Sequence, residues 1–402
     1  MTVEIFTADE LSHIEAYHWP GYVLTAVLTI VSPLMMWALV RFAAQPFFQF
    51  AERVSQRPWV DALAKKPLLR TVAHITTLLW KGPGASAALL FSFGLLAFLA
   101  VLNLPAEIYF GFIREHQYGM STEPFSGFAF DWVKATAINA MSMSALTLGL
   151  YGLARRLKYW WLILGIIAGV AMLASTLADP YRNRVYVDQD PLTEGPLKTL
   201  LVNTMKSAGI DFEAIVVEKT AVKSARLQAY FAGEGPTRTI VLNDVLLTTL
   251  TDDEIVAAVA HEAGHVHEDR WLRRIGAFLA LIGFLGFIEW LFRWTARTGR
   301  AGITQRADIR TLPMILLAFE LVSTLADPIG GFVSRRGETA ADRYALNLLH
   351  RPDIFESMLI KATRTNKMNP DPPWWLVLMG TSHPPMNQRI ENVRGWAKEN
   401  GG

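Results

Sequence analysis

Apolar residues are concentrated in six blocks, at 21–40, 87–112, 135–154, 159–178, 275–292 and 312–333. Each block is long enough to cross about 30 Å of hydrocarbon as a helix. Any one of them could be a buried core helix, but roughly 150 soluble-looking residues could not cover all six. The pattern therefore predicts a multi-pass α-helical membrane protein. Asn103, Glu107, Asn139, Glu289, Glu320 and Asp327 fall inside the blocks, which points to a hydrated interior or to hydrogen bonds between helices. The shorter run 67–80, with Arg70 and His74, is expected as an interfacial helix, or as a seventh span if it crosses. The first block is expected to stay in the mature chain, because Glu4, Asp9, Glu10 and Glu15 precede it and no basic residue does.

The pattern changes between Asp211 and Leu247. Short β-rich runs at 214–218, 227–232 and 239–242 predict one small sheet. Thr251 and Glu254 then form a capping box, which opens the apolar run 255–260 and sets the next residues on a helix. Those residues are His261-Glu262-Ala263-Gly264-His265. On a helix this pattern puts two imidazoles on one face, one turn apart, where both can reach one zinc ion at about 2.0–2.1 Å. Glu262 is too near to be a further ligand and is placed to take a proton from a water that the metal activates. Gly264 weakens the helix, so its presence suggests close backbone approach.

A catalytic zinc needs a third protein ligand and one open position. Glu268 lies about 10 Å along the helix axis from His261 and cannot close a tetrahedron between the two histidines. Glu338 begins what reads as a second helix through Ala345, Leu346 and Leu349, with Asp342 on the same face. One of these carboxylates can bind zinc while the other holds the far nitrogen of a ligating histidine, although an exposed acidic face has the same spacing.

Composition narrows the field. The chain is 51% hydrophobic and only 18% charged, which is wrong for an ordinary soluble enzyme. It has no cysteine, which excludes disulfides, thiolate zinc ligands and a cysteine nucleophile. A net charge of +2 without a basic, aromatic-rich patch gives no case for nucleic acid.

The ordered motifs resemble the type I CAAX prenyl proteases, integral-membrane zinc metallopeptidases related to the HtpX-like proteases. The resemblance rests on the His-Glu-x-x-His run, on Ser334, Arg335, Glu338 and Asp342 after a helical pair, and on Ser382-His383-Pro384-Pro385 with Arg389. It extends to Arg114–Thr122, Asn183 and Pro191-Leu192. It implies a zincin-like α+β peptidase domain with one small sheet and one Zn2+ held by His261, His265 and Glu338, with Asp342 supporting them. It further implies that His383 and Arg389 face the reacting carbonyl or the substrate backbone. Gln228, Ala229, Tyr230 and Phe231 resemble the family's edge strand, where a substrate would pair, with Gln228 in place of the usual Asn.

The expected organisation is four or five spans in 1–178, a first peptidase segment in 179–274, a transmembrane hairpin in 275–333 and a second peptidase segment in 334–402. The expected activity is hydrolysis of membrane-associated peptides, prenylated CAAX-type peptides among them, by a single chain in the lipid bilayer. A quality-control protease for unmodified membrane proteins is one alternative, and a non-catalytic scaffold or transporter with structural zinc is another. Glu262 argues against the scaffold, since a structural site needs no base. With six spans, the basic loops at 41–81, 155–158 and 293–310 all lie opposite the zinc site. The resemblance implies a cytosol-facing site near the membrane interface, and that side is expected.

Overall fold

The apolar blocks fold as helices. A computed structural model of the chain describes residues 5–58, 84–186, 188–268 and 270–401, with single positions between 60 and 80. The long helices are α1 (Ala8–Ala38), continued through a π turn by α2 (Ala44–Ser55), then α3 (Ala85–Ile108) and, beyond the short α4 (Arg114–Gln117), α5 (Phe125–Arg156) and α6 (Trp160–Tyr186). Among the described residues five helical stretches are long and apolar enough to cross a membrane: Ala8–Ser55, Ala85–Gln117, Phe125–Arg156, Trp271–Thr298 and Ile309–Leu349. They contain five of the six blocks. The sixth block coincides with the apolar stretch Trp160–Ser175 of α6. The run 67–80 falls for the most part outside the described residues.

The elements of the expected peptidase segments follow α6. They are β1 (Gln189–Pro191), α7 (Pro196–Ser207), β2 (Ala214–Glu218), β3 (Ala229–Ala232), β4 (Thr239–Asn243), α8 (Asp244–Thr249) and α9 (Asp252–Val266). The chain then enters α10 (Arg270–Thr298) and returns along α11 (Leu312–Leu349), before α12 (Pro352–Thr365), α13 (Trp374–Leu378) and α14 (Met386–Glu399). The sheet order is β1-β2-β4-β3, with β2 and β4 parallel and the outer strands antiparallel to their neighbours. β4 is buried along its whole length, as an inner strand should be. Leu201, Met205, Leu242, Ala260 and Phe355 join sheet, α7, α9 and α12 in one core. β3 is left as an edge strand among the described residues.

Two features depart from the sequence reading. β1 was not expected, since Gln-Asp-Pro has poor strand propensity; it forms because an edge position tolerates proline. Glu338 does not begin a helix but lies within α11, which runs unbroken for 38 residues across Pro328, Gly330, Gly331 and Gly337. Packing explains two of these glycines. A Cβ on Gly331 would sit 2.6 Å from Gly380 Cα, and one on Gly337 would sit 2.7 Å from Glu268 Oε1.

Helix α9 crosses α11 just as tightly: a Cβ on Gly264 would lie 2.6 Å from Ala341 Cα. No side chain fits there, so Gly264→Ala is expected to cost about 1–3 kcal/mol through forced separation of the helices. Gly276→Ala, where nothing lies within 4 Å of the added carbon, serves as the control and should leave stability unchanged or slightly raised. Thermal unfolding in detergent reads both, and equal midpoints for the two variants would contradict so close a crossing.

Candidate metal centre

Helix α9 is fixed at its start before it presents any chemistry. Thr251 and Glu254 cap it reciprocally, and the buried Glu254 carboxylate also accepts from Ser357 Oγ and Lys361 Nζ on α12, each at 2.7 Å. Those contacts hold α9 against α12. Two turns on, His261 and His265 face Glu338 of α11. His261 Nε2 lies 3.3 Å from Glu338 Oε2, and His265 Nε2 lies 3.3 Å from Glu338 Oε1. Glu338 Oε2 is buried and makes no hydrogen bond.

These distances test whether zinc fits. A tetrahedral ion with bonds of about 2.0–2.1 Å keeps its ligand atoms about 3.3–3.4 Å apart. Both imidazole–carboxylate separations match that edge, and a buried carboxylate oxygen without a donor needs a cation to offset its lost hydration. The ligand atoms of His261, Glu262 and His265 also lie within 4.8 Å of one another. Two carboxylates therefore reach the histidines, but Glu338 is the one that touches each imidazole with a separate oxygen.

Each histidine is braced from behind. His261 Nδ1 lies 2.8 Å from Asp342 Oδ1. Arg389 in turn forks onto Asp342, with Nε 2.8 Å from Oδ2 and Nη2 2.6 Å from Oδ1. His265 Nδ1 lies 2.8 Å from Glu268 Oε1, and Arg273 pairs with the other oxygen of Glu268. The sequence reading missed this second arm. It asked whether Glu268 could reach the ion, whereas the i, i+3 spacing from His265 was the signal for a supporting bond. Gly337 leaves the room that Glu268 occupies. Arg389, expected with His383 to face the reacting carbonyl or the substrate backbone, lies buried in the wall of the cleft, with two of its nitrogens bonded to Asp342.

His383 comes from the loop before α14. Its Nε2 stands 3.6 Å from Glu338 Oε1, and its Nδ1 lies 2.8 Å from Ser382 Oγ. The loop is docked on α11 by Arg335 Nη1, which donates to the Thr381 carbonyl at 2.7 Å, and by the Gly331–Gly380 contact. Gly380 has φ +116°, which disfavours any side chain there. The structure thus brings His261, Glu262, His265, Glu338, Asp342, His383 and Arg389 to one place.

The site opens into a cleft of about 170 Å³, lined by His261, Glu262, Glu338, His383, Leu227 and Ala229 among others. Ala229 belongs to the edge strand. Gln228 O accepts from Asn243 N and Gln228 N donates to the Asn243 side chain, so Gln228 points its backbone inward at β4. By antiparallel alternation the outward backbone groups belong to Ala229 and Phe231. Tyr230 donates its hydroxyl to Glu218 at 2.8 Å, and Phe231 packs against the core. The Gln228 side chain is exposed.

Charge in the site follows from burial and contact. Burial alone would lower the His261 pKa, but Asp342 and Glu338 outweigh it and raise it from 6.5 to about 9. His265 is raised as well, with Glu338 overcoming the effect of burial. Burial pushes Glu262 up, above the usual carboxylate range, although His261 and His265 oppose it. Desolvation lowers the His383 pKa from its ordinary value, with Glu338 opposing the shift.

Known proteins resemble the chain along most of its length. Residues 191–397 match the model of peptidase family M48, and residues 47–181 match the CAAX prenyl protease N-terminal region of five membrane helices. The chain is 27% identical to the uncharacterized metalloprotease YhfN of Bacillus subtilis over 84% of its own length and 76% of that protein's. It is 26% identical to CAAX prenyl protease 1 of Saccharomyces cerevisiae, over 74% of this chain and 70% of the relative. The crystal structure of S. mikatae Ste24p has the same fold, with a TM-score of 0.68 at 19% identity, covering 96% of this chain and 99% of that one. Matched along both its membrane helices and its peptidase segment, the chain belongs to peptidase family M48, as a membrane metalloprotease of the CAAX prenyl protease type.

Proposed function

We propose that this metalloprotease uses a single zinc ion, held by His261, His265 and Glu338, to cut membrane-associated peptides. The observation that carries the reading is the pair of 3.3 Å separations between Glu338 and the two imidazoles, with Glu262 beside them. Zinc bound there would polarise the scissile carbonyl and make the attacking water more acidic.

The protein's own residues do the rest. Glu262, its basicity raised by burial, takes a proton from the attacking water and passes it to the departing amine. His383, on the open side of the cleft, donates to the oxygen on which charge develops. Asp342 and Glu268 hold His261 and His265 in the tautomer that leaves Nε2 free, and Arg389 acts through Asp342. The substrate backbone pairs with the outward groups of Ala229 and Phe231, along the strand that Gln228 and Tyr230 tie to its neighbours. Pairing through backbone needs no side chain from Gln228, so the change from Asn leaves the lane intact. The substrate class is peptides at the membrane surface with prenylated CAAX-type C-termini, a reading supported by the names of the relatives. The catalytic face is assigned to the cytoplasm on the family resemblance.

Three outcomes are expected. Glu262→Gln keeps its zinc by mass-spectrometric metal analysis but loses about a hundredfold to ten-thousandfold in kcat on a quenched peptide; a variant with near wild-type kcat removes the base from the scheme. Asp342→Asn and Glu268→Gln each weaken zinc binding by about tenfold to a hundredfold in chelator competition, and unchanged affinity in both would contradict the bracing. The third concerns pH. Because the His261 pKa is raised from 6.5 to about 9, its ion pairs stabilise the zinc-stripped protein fully below about pH 6.5 and no longer do so above about pH 9. Zinc must displace that proton, so its affinity should rise with pH across the same interval with measurable proton release, and calorimetry in buffers of different ionisation heat showing none would oppose the assignment.

A further inference from the structure

Helix α10 leaves the metal centre at Arg270 and ends at Thr298, about 40 Å further along its axis. At that far end two short connections, one joining α5 to α6 and the other α10 to α11, interlock. Arg155 Nε donates to the Ala307 carbonyl at 3.0 Å, and Arg306 Nη2 donates to the Leu157 carbonyl at 3.4 Å. Ala307 has φ +57°, which a residue with a side chain adopts only when its surroundings hold it there. Trp160 Nε1 donates to the buried Glu289 at 2.7 Å, and Tyr151 Oη lies 2.7 Å from Thr311 Oγ1. The two connections therefore form one unit.

That unit carries a large surplus of positive charge. Residues 155–158 and 289–310 hold eight arginines and lysines against two acids, Glu289 and Asp308. Arg293 and Arg306 both pair with Glu289, and Arg310 forks onto Asp308. Both acids are thereby taken, and Lys158, Arg297 and Arg300 stand exposed beyond them. Lys158 Nζ lies 5.1 Å from the Tyr159 ring, and the Arg300 guanidinium lies 4.7 Å from the Trp294 ring. Trp294, Trp290 and Phe287 then stack in sequence down α10, with centroids 6.0 and 5.4 Å apart, and Trp290 is 54% exposed within a span. Tryptophan and tyrosine favour the boundary between headgroups and hydrocarbon, so the three cations stand at the level of the lipid phosphates. Basic residues that only orient a span during insertion act as separate stretches of chain, whereas folding here gathers them from two distant connections.

We infer that Lys158, Arg297 and Arg300 bind the headgroup of an anionic phospholipid, whose acyl chains lie along the Trp290–Trp294 face of α10. Guanidinium groups fork onto phosphate oxygens, and the exposed aromatic rings offer the chains an apolar wall. A soluble phosphate would gain the charge but not the wall. The lipid fastens the far end of the α10–α11 hairpin, the hairpin whose returning helix carries Glu338.

Native mass spectrometry of the full-length protein in detergent, titrated with phosphatidylglycerol and with phosphatidylcholine of the same chains, tests this. Wild type should bind phosphatidylglycerol about a hundredfold more tightly, about fivefold for each of the three charges. The combined variant Lys158→Gln, Arg297→Gln, Arg300→Gln should bring the ratio near one. A control that removes three exposed charges from the peptidase segments, Lys206→Gln, Arg343→Gln, Lys398→Gln, should keep it. Each protein is compared with itself, so any loss of folded material cancels. Equal wild-type binding of the two lipids, or an undiminished ratio in the first variant, overturns the inference. Inorganic phosphate that displaces phosphatidylglycerol at equal concentration assigns the cations to soluble anions and overturns it as well.

Discussion

The close crossing of α9 over α11 is the constraint on which the site depends. Gly264 lets the two backbones meet at Ala341, and only at that distance can Glu338, one turn earlier on α11, touch both histidines. A side chain at position 264 would push the carboxylate away from the imidazoles and leave three buried polar groups without a common partner. The glycine is thus kept against its own helix propensity, and the helix recovers what it loses through the capping box and the Glu254 contacts to α12.

The second consequence is where the site sits. α10 begins at Arg270, directly after the histidines, and α11 carries Glu338 on the same helix that forms the span Ile309–Leu349. The centre is therefore tied at both sides to helices long and apolar enough to cross a membrane. α6 and α10 pack closely through Gly165 and Gly169, where added Cβ atoms would come within 2.8 Å of Ile282 and 2.7 Å of Phe278. A cleft joined to such helices suits the membrane-associated peptides proposed as its substrates.

Much of this was legible in the chain because the signals are local or long. The membrane helices announce themselves by length, and His261, Glu262 and His265 by spacing on a capped helix. Strands β2 and β4 follow from their β-branched runs. What could not be read depends on contacts between distant segments. Glu338 reads as the start of a helix, yet α11 runs unbroken through it, with Gly331 and Gly337 used as points of close approach. Glu338 lies far along the chain from the histidines, and residue spacing alone could not choose it over Asp342; the family motif did. The Arg389–Asp342 fork and the Arg273–Glu268 pair appear only once the helices are packed.

The two histidines thus have parallel support, each backed by a carboxylate that is itself held by an arginine, and they converge on one carboxylate from another helix. The central claim is that this carboxylate, not Glu262, completes the metal centre. Crystallographic anomalous scattering at the zinc edge, measured on the purified full-length protein, tests it most directly. The account predicts one peak bonded to His261 Nε2, His265 Nε2 and Glu338. A peak bonded to Glu262 with Glu338 turned away, or no zinc in crystals of fully active enzyme, would contradict it.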